Sequence, residues 1–454
     1  MGALSRYKRM QNPHVKGALL AALSLAALPL LASVAPSSAV QELVDKNYPS
    51  LESLYKDLHL HPELSLQEEK TSARIAAELR SAGFEVTDKF GGTGVVGVLR
   101  NGPGPTLLIR TDMDALPVKE ETGLPYASEA HMLNLSGKDV PVMHACGHDI
   151  HMTVFVGTAR TLAALRDTWS GTLVLVGQPA EEMIVGARNM LTAGLYRQFP
   201  KPDFAIGLHD DTGIPTGSVG FAEGYFTSNA DSVDILVRGI GGHGSRPDVT
   251  KDPIVLSAQI ILALQTIVSR EVRPGDRAVV TVGTISGGTK NNIIPGEVKL
   301  QLTLRSYSPD TRVHLVAAIR RICRGEAIAA GIPEELMPVV TVVDAGADSI
   351  FNDPALTKRV RAAVTQSLGT DHVEDLEPQM YSEDFSQYGR TVEKVPVCFF
   401  SIGASDPDKL AESRKSGIPM PSLHSSKFAP VPEPTIKTGI KSMSAAALDL
   451  LAKK

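Results

Sequence analysis

The feature that most constrains the fold is a regular alternation of short apolar, β-rich runs with helical segments. The first part of this pattern predicts a helix at 68–82, strands at 94–100 and 106–111, a helix after Asp149, a strand at 171–177, a helix after Glu182 and a strand at 203–208. Such alternation predicts a doubly wound α/β sheet, in which ligands bind at the carboxyl ends of the strands. Polar residues that directly follow these strands are therefore the candidate functional residues.

The pattern changes near residue 228 and returns near residue 340. The interval predicts a strand at 232–237, a helix at 253–269, strands at 278–286 and 296–304, and a helix at 310–330. This is a two-layer α+β unit of ordinary domain size. We therefore expect an α/β domain built from residues 40–227 and 340–454, with residues 228–339 inserted into it. The second part should hold a helix after Asp353, a strand at 395–402 and a closing helix at 434–451.

The first 39 residues have the pattern of a secretory signal peptide. Four basic residues precede an uncharged stretch over 17–40, which ends in small residues suited to a cleaving peptidase. An uncleaved membrane anchor is the alternative, because the apolar stretch approaches the about 20 residues that span a bilayer. Pro29 and Pro36 argue against an unbroken spanning helix. We expect a periplasmic or secreted protein with no membrane contact after cleavage.

Charge and cysteine content exclude several classes of protein. Lys and Arg total 45 against 50 Asp and Glu, for a formal net charge of −5, and the chain has no long basic run. Nucleic acid is therefore not expected as a partner. Cys146, Cys323 and Cys398 are too few and too far apart for a disulfide framework or a CxxC motif. In an oxidising compartment a functional lone thiol needs protection, which a bound metal would supply.

Two polar clusters follow predicted strands in the first half of the chain. Asp112 and Asp114 stand directly after the strand at 106–111, where they could touch a metal or orient a metal-bound imidazole, although an Asx turn before Pro117 is the alternative. The second cluster, HACGHDIH, places Cys146 and His148 two residues apart, a spacing at which both can reach one ion. His144 and His151 in this cluster are better explained as supporting residues or as part of a helix start.

Three further clusters could complete a metal site. Glu181 and Glu182 follow the strand at 171–177, so one could bind a cation while the other moves a proton; a solvated acidic pair is the alternative. His209 follows the strand at 203–208, and His424 lies in a loop near the C-terminus. Either histidine is expected to bind a metal only if other ligand side chains lie close to it.

Together these clusters offer five ligands of mixed softness, namely Cys146, His148, Glu182, His209 and His424. Five is too many for one closed tetrahedral site, but it suits a centre of two divalent ions such as Mn, Zn, Co or Ni.

In this order the clusters resemble the aminoacylase/carboxypeptidase family of co-catalytic metallopeptidases, specifically its amidohydrolase branch of hippurate and indole-acetyl-amino-acid hydrolases. The matching strings are RTDMDALP, MHACGHDIH, GQPAEE, GLH, GGHGSRP, NIIP, SEDF and LHSSKF. The resemblance implies a metal-binding α/β domain and an inserted α+β lid domain that often mediates dimerisation. Asp210 departs from the branch, which usually has an apolar residue after the histidine of GLH.

Position by position, the resemblance implies roles for individual residues. Glu181 would be the general base, Asp112 and Asp114 would support the metal ligands, and His243 would stabilise the oxyanion, often in the partner subunit's site. Asn292 and Arg305 correspond to positions that contact substrate, with the arginine binding a free carboxylate.

The expected function is hydrolysis of the amide bond of N-acyl or N-aroyl amino acids or short peptides by metal-activated water. An exported metallo-carboxypeptidase or dipeptidase on the same site is the alternative. Less favoured are a thiol hydrolase with Cys146 as nucleophile and His148 as base, and a periplasmic binding protein without turnover. A homodimer through the inserted domain is possible.

Overall fold

The larger part of the protein is a doubly wound α/β unit around one eight-stranded sheet. The computed structural model describes residues 35–344 and 346–453, so most of the predicted signal peptide lies outside the described residues. In spatial order the strands are Glu85–Phe90, Gly94–Asn101, Gly171–Gln178, Thr106–Asp112, Phe204–Pro215, Val397–Ser405, Val219–Phe221 and Val373–Asp375. The third to sixth of these run parallel to one another. The carboxyl ends of these four strands therefore meet at one edge of the sheet.

Helices cover both faces of this sheet, which confirms the predicted fold class. One face carries Ala35–Leu60, Glu69–Ser81, His148–Ala164, Pro354–Leu368 and Pro432–Leu450. The other face carries the short helices Gly186–Thr192 and Leu195–Gln198 and the turn Asp384–Gly389. Because it is covered on both sides, the strand Val397–Ser405 is buried at every position, which accounts for its unbroken apolar run. The helix Pro407–Ser416 lies outside these layers.

The inserted unit has two layers, as predicted. Its antiparallel sheet has the spatial order Ala278–Gly287, Glu297–Ser306, Asn229–Arg238 and Val339–Asp344, and the helices Pro253–Thr266 and Pro309–Ala329 pack on one face. Burial alternates along Glu297–Ser306, so one face of the sheet is open. Each helix begins with a proline and is capped by the residue before it. The Asp252 and Ser308 side chains accept hydrogen bonds from backbone amides of the first turn.

The predicted boundary at residue 340 is wrong, because it cuts a strand of the inserted unit. Val339–Asp344 pairs with Asn229–Arg238, with Val342 opposite Val233 and Val340 opposite Ile235. The chain therefore returns to the larger unit only after this strand.

Short strand pairs and one apolar helix complete the description. The pairs are His131–Leu133 with Asp139–Pro141, Gly224–Tyr225 with Phe351–Asn352, and Gly242–His243 with Ile293–Ile294. In the described part of the chain, the segment Pro253–Glu271 is the one helical stretch whose length and composition would suffice to cross a membrane. Its inner side packs in the core of the inserted unit through Leu256, Ile260 and Leu264.

Candidate metal centre and active site

The carboxyl edge of the parallel strands brings the five predicted ligands together. The strand Thr106–Asp112 ends beside this cluster, and Glu182 follows the strand Gly171–Gln178 after a short turn. His148 is the first residue of a helix, and Cys146 precedes it by two positions. His209 lies within the strand Phe204–Pro215, because the predicted strand continues beyond Leu208.

The ligand atoms are close enough to share ions. Cys146 Sγ lies 3.4 Å from His209 Nε2 and 3.3 Å from His424 Nε2. Glu182 Oε1 lies 3.4 Å from His424 Nε2 and 3.9 Å from His148 Nε2. The triads Cys146–His148–His209 and Cys146–Glu182–His424 each keep their ligand atoms within 4.8 Å of one another. The two triads share the thiol, as expected where one ligand bridges two ions.

Two buried atoms in this cluster lack hydrogen-bond partners and could bind a cation. His148 Nε2 and Glu182 Oε1 are buried and have no hydrogen-bond partner within the described residues. His148 Nδ1 donates to the Asp114 carbonyl at 2.7 Å, and His209 Nδ1 donates to the Asp210 carbonyl at 2.7 Å. With Nδ1 engaged in this way, each ring turns its Nε2 towards the cluster, where it could bind an ion. A buried lone pair without a partner is costly, and a divalent ion would satisfy it.

The charges around the cluster also favour a bound cation. Burial raises the pKa of the Cys146 thiol well above its ordinary value, and the carboxylates of Glu182 and Glu181 raise it further. Without a cation the sulfur therefore stays protonated at neutral pH. A metal would supply the positive charge that a thiolate needs in this position.

Glu181 is a buried carboxyl beside the ligand cluster. Burial raises the pKa of its carboxyl well above the ordinary range, with further contributions from Glu383 and Glu182. Its Oε2 lies 3.9 Å from His148 Nε2, so the carboxyl is adjacent to the ligand cluster.

Asp112 and Asp114 lie behind the ligands. The Asp114 carboxylate accepts the backbone amides of Glu181 at 3.1 Å and Glu182 at 3.0 Å, and the Ser65 hydroxyl at 2.5 Å. It therefore fixes the backbone that carries both glutamates. The Asp112 carboxylate accepts His151 Nδ1 at 2.7 Å.

A buried ion network beside Glu181 was not predicted. Arg110 donates to Asp112 at 2.6 Å, to Glu383 at 2.8 Å and to Asp384 at 3.1 Å. The pKa of Asp384 rises to about 7, because it is buried and lies near Glu383. The strings RTDMDALP and SEDF contain these residues, but nothing local in the sequence marks them as partners.

His151 was expected as a supporting residue or as part of a helix start, and sequence reasoning did not identify Asp210 as its partner. The Asp210 carboxylate lies 3.0 Å from His151 Nε2. The pKa of Asp210 falls to about 2, since hydrogen bonds from His151 and His209 outweigh its burial.

The buried His144 has no hydrogen-bond partner among the described residues, and burial lowers its pKa to about 4.

A cavity of about 450 Å³ opens from the ligand cluster, and we call it the reaction cavity. Arg305 lines it and donates to the Ser382 hydroxyl. The predicted His243 and Asn292 do not line it. Both are exposed on the inserted unit, where the Gly244 amide donates to the Asn292 carbonyl at 2.8 Å.

Comparisons with known proteins agree with this geometry. Residues 108–424 match the model of peptidase family M20/M25/M40. The chain is 36% identical over 388 residues to thermostable carboxypeptidase 1 of Saccharolobus solfataricus, covering 85% of this chain and 91% of that protein. It is 40% identical over 278 residues to hippurate hydrolase of Campylobacter jejuni, covering 60% and 69%. The crystal structure of Bacillus subtilis YXEP, described as a dinuclear metal-binding peptidase, superposes with a TM-score of 0.73 at 28% identity, covering 90% of this chain and 99% of that one.

Proposed function

Because this chain belongs to peptidase family M20/M25/M40, we propose that it hydrolyses the amide bond of N-acyl or N-aroyl amino acids or of short peptides with a free carboxylate. One observation carries this proposal. A thiol, three imidazoles and a carboxylate converge on one cluster, and a second carboxyl, that of Glu181, lies beside them with its Oε2 3.9 Å from His148 Nε2. A protein that only binds its ligand has no use for a buried proton-transfer carboxyl in that position.

Cys146, His148, Glu182, His209 and His424 would hold two divalent ions. When bound, these ions would polarise the amide carbonyl and lower the pKa of a water molecule. The ligand set suits Zn, Mn, Co or Ni.

Glu181 acts as the general base in this proposal. Its carboxyl accepts a proton from the attacking water and later donates it to the leaving nitrogen. Burial and the neighbouring acids raise the pKa of Glu181, and a carboxylate of higher pKa is a stronger base. Asp114 holds the Glu181 and Glu182 backbone in place for this exchange.

Arg305 would bind the free carboxylate of the substrate within the reaction cavity. His243 is assigned to stabilising the oxyanion, as the resemblance implies. Since His243 is exposed and does not line the cavity of its own chain, it would have to come from a second copy. The proposal therefore includes a homodimer through the inserted unit.

The carboxypeptidase or dipeptidase alternative uses the same site and differs only on the acyl side of the scissile bond. The thiol hydrolase alternative is weaker. A nucleophilic cysteine needs a lowered pKa, and the surroundings of Cys146 raise it.

Export is the remaining part of the proposal. It rests on the pattern of residues 1–39 and would place the protein in the periplasm or outside the cell. N-terminal sequencing of the exported chain tests it, and an intact N-terminus on a membrane-bound protein would contradict it.

The substitution Glu181→Gln tests the function. The variant keeps the shape of the side chain but cannot accept a proton, so we expect kcat to fall by about 100- to 10,000-fold while the protein still binds two metal ions. Hydrolysis of N-acyl amino acids and elemental analysis measure the two quantities. Glu377→Gln, on the exposed surface, is the control and should match the unsubstituted protein. Substantial remaining activity in Glu181→Gln would mean that another group is the base.

A further inference from the structure

A cavity of about 350 Å³ lies where the inserted unit joins the larger one, and we call it the junction cavity. Tyr225 and Phe351 line it from the two chain connections between the units, which pair with each other as Gly224–Tyr225 and Phe351–Asn352. Pro309, the first residue of a helix of the inserted unit, also lines it. The junction cavity and the reaction cavity share no lining residue.

The charged side chains around the junction cavity favour an anion. Arg390 and Lys394 line it, and the exposed Lys394 ammonium forms no ion pair within the described residues. Arg390 donates to the Ser349 carbonyl at 2.8 Å, and its Nε lies 3.8 Å from an oxygen of Asp348. The lining residues include one acid, Asp353, whose carboxylate accepts a backbone amide at 2.8 Å at the start of a helix. The wall therefore carries two cations and one acid.

The other side of the junction cavity is aromatic and apolar. The rings of Tyr225 and Phe351 meet edge to face with their centroids 5.1 Å apart, and Phe351 is 50% exposed. Val395 and Val397 also line the cavity. Apolar groups around a concave site gain free energy when an apolar guest covers them.

Ser386 adds an unpaired hydroxyl to this wall. It lines the junction cavity from the turn Asp384–Gly389 and is 3% exposed. Its buried Oγ has no hydrogen-bond partner within the described residues. A buried hydroxyl without a partner costs free energy, and the oxygen of an anion could accept a hydrogen bond from it.

We propose that the junction cavity is a binding site for a small organic monoanion that carries one carboxylate on an apolar ring or chain. Arg390 and Lys394 pair with the carboxylate, the Ser386 hydroxyl donates to it, and Tyr225 and Phe351 cover the apolar body. An apolar cavity of about 150 Å³ accommodates benzene, so the junction cavity has room for a phenyl ring that bears a carboxylate. This site is separate from the proposed hydrolysis and does not depend on it.

The first test is calorimetric titration of the metal-loaded protein at pH 7 with benzoate, benzamide, benzylamine and acetate. We expect benzoate to bind about tenfold more tightly than benzamide, which has the same ring but no charge. Benzylamine, a cation at this pH, and acetate, which has no apolar body, should also bind more weakly than benzoate. Equal affinities for benzoate and benzamide would overturn the proposal.

Ser386→Ala separates binding from stability. Because the hydroxyl has no partner in the protein, we expect the thermal midpoint without benzoate to stay unchanged, while the affinity for benzoate falls roughly tenfold. Ser442→Ala is the matched control. Ser442 is also a buried serine without a hydrogen-bond partner among the described residues, but it lies in the helix Pro432–Leu450 and does not line the cavity. Its substitution should leave the affinity unchanged.

Lys394→Gln removes one charge from the wall. We expect about a two- to fivefold loss of affinity for benzoate, the range for a partly exposed ion pair. Lys415→Gln is the control, because Lys415 is likewise exposed and forms no ion pair within the described residues, but does not line the junction cavity. An unchanged affinity in either Ser386→Ala or Lys394→Gln would overturn the proposal.

Hydrogen exchange locates the bound benzoate. Because an occupant touches both chain connections, benzoate should slow the exchange of backbone amides in 224–228, 348–353 and 386–397. Slower exchange confined to 144–151 would mean that benzoate binds only at the metal-ligand cluster, and it would overturn the proposal while leaving the proposed function in place.

Discussion

His59 lies between two buried acids and supports the helix that carries the proposed metal ligand His148. Its Nδ1 lies 2.6 Å from Asp149 and its Nε2 lies 3.1 Å from Glu120. Burial alone would lower the pKa of His59, but the hydrogen bonds with Asp149 and Glu120 raise it from 6.5 to about 10. The folded protein therefore holds an imidazolium where the unfolded chain would hold a neutral ring at pH 8.

This raised pKa predicts a pH-dependent contribution to stability. Because the folded-state pKa lies above the unfolded one, the contribution is complete below pH 6.5 and is lost as the pH rises through about 10. At about pH 6 we expect His59→Gln to destabilise the fold by about 3 to 5 kcal/mol, since two buried acids lose their cation. The difference in thermal midpoint from the unsubstituted protein should shrink at about pH 10.5.

The exposed histidine two positions on provides the control. His61→Gln should leave the midpoint unchanged at both pH values, because the His61 side chain is 66% exposed. A His59→Gln deficit that stays constant between the two pH values would show that His59 contributes by packing and not by charge.

The start of the helix His148–Ala164 couples local backbone geometry to the metal cluster. Gly147 precedes the helix with φ +74, and a Cβ at this position would lie 2.4 Å from an oxygen of Asp210. Asp210 has little freedom to move, because its carboxylate pairs with His151 and its carbonyl accepts His209 Nδ1. The glycine thus lets Cys146, His148 and His209 approach one another.

Gly147→Ala should therefore be costly. We expect a loss of about 1 to 3 kcal/mol of stability together with a lower metal content, measured by thermal unfolding and elemental analysis. Gly325→Ala is the control. Gly325 lies inside the helix Pro309–Ala329 with nothing within 4 Å of an added Cβ, so the alanine should stabilise by roughly 0.5 to 1 kcal/mol. Equal effects of the two substitutions would contradict the proposed coupling.

At the scale of elements, sequence periodicity predicted the type and the approximate bounds of single strands and helices, because these depend on residues close together in the sequence. The strand Thr106–Asp112 and the helix Glu69–Ser81 differ from the predicted ranges by about one residue at an end, because burial repeats along each element. The larger α/β domain was predicted to resume at residue 340, which is wrong for the strand Val339–Asp344, because an apolar run has the same pattern whichever sheet it joins. Its partner, Asn229–Arg238, lies far away in the sequence.

The same limit applies to the candidate site. The convergence of the five proposed ligand residues could be predicted because soft side chains in dense clusters after strands are rare in other settings. The role of Arg110 could not be predicted, because its partner Glu383 lies 273 positions away in the sequence. The sequence also does not distinguish an arginine that is buried from one that is exposed to solvent. Only the folded chain shows that this arginine neutralises the acids around Glu181.

At the scale of the whole molecule, the inserted unit presents an apolar surface with no partner in the described chain. Leu262 is 73% exposed and Val255 55% exposed on the helix Pro253–Thr266, and Ile285 is 54% exposed on the edge strand Ala278–Gly287. Exposed apolar residues on a helix and on the edge strand of the same unit favour association with a second copy. Such a dimer would also bring a second exposed His243 within the assembly.

The proposed dimer gives a prediction that links assembly to catalysis. Leu262→Asp should shift the protein from dimer to monomer by light scattering, and activity should fall in proportion, because each site would lose the histidine of the other copy. Ile418→Asp, 70% exposed on the larger unit, is the control and should remain dimeric and active. A fully active Leu262→Asp monomer would exclude a role for the His243 of a second copy in the reaction.

Mixing two inactive variants separates a shared site from a site that only needs the dimer for stability. A chain carrying His243→Ala keeps Glu181, and a chain carrying Glu181→Gln keeps His243. In their mixed dimer one of the two sites regains both groups, so a random one-to-one mixture should recover about a quarter of the original activity. Recovery requires that subunits exchange, which a tagged copy verifies by co-purification. Mixed dimers that form but stay inactive would mean that His243 serves the site of its own chain or no site at all. The inserted unit would then contribute to the reaction only by stabilising the folded protein.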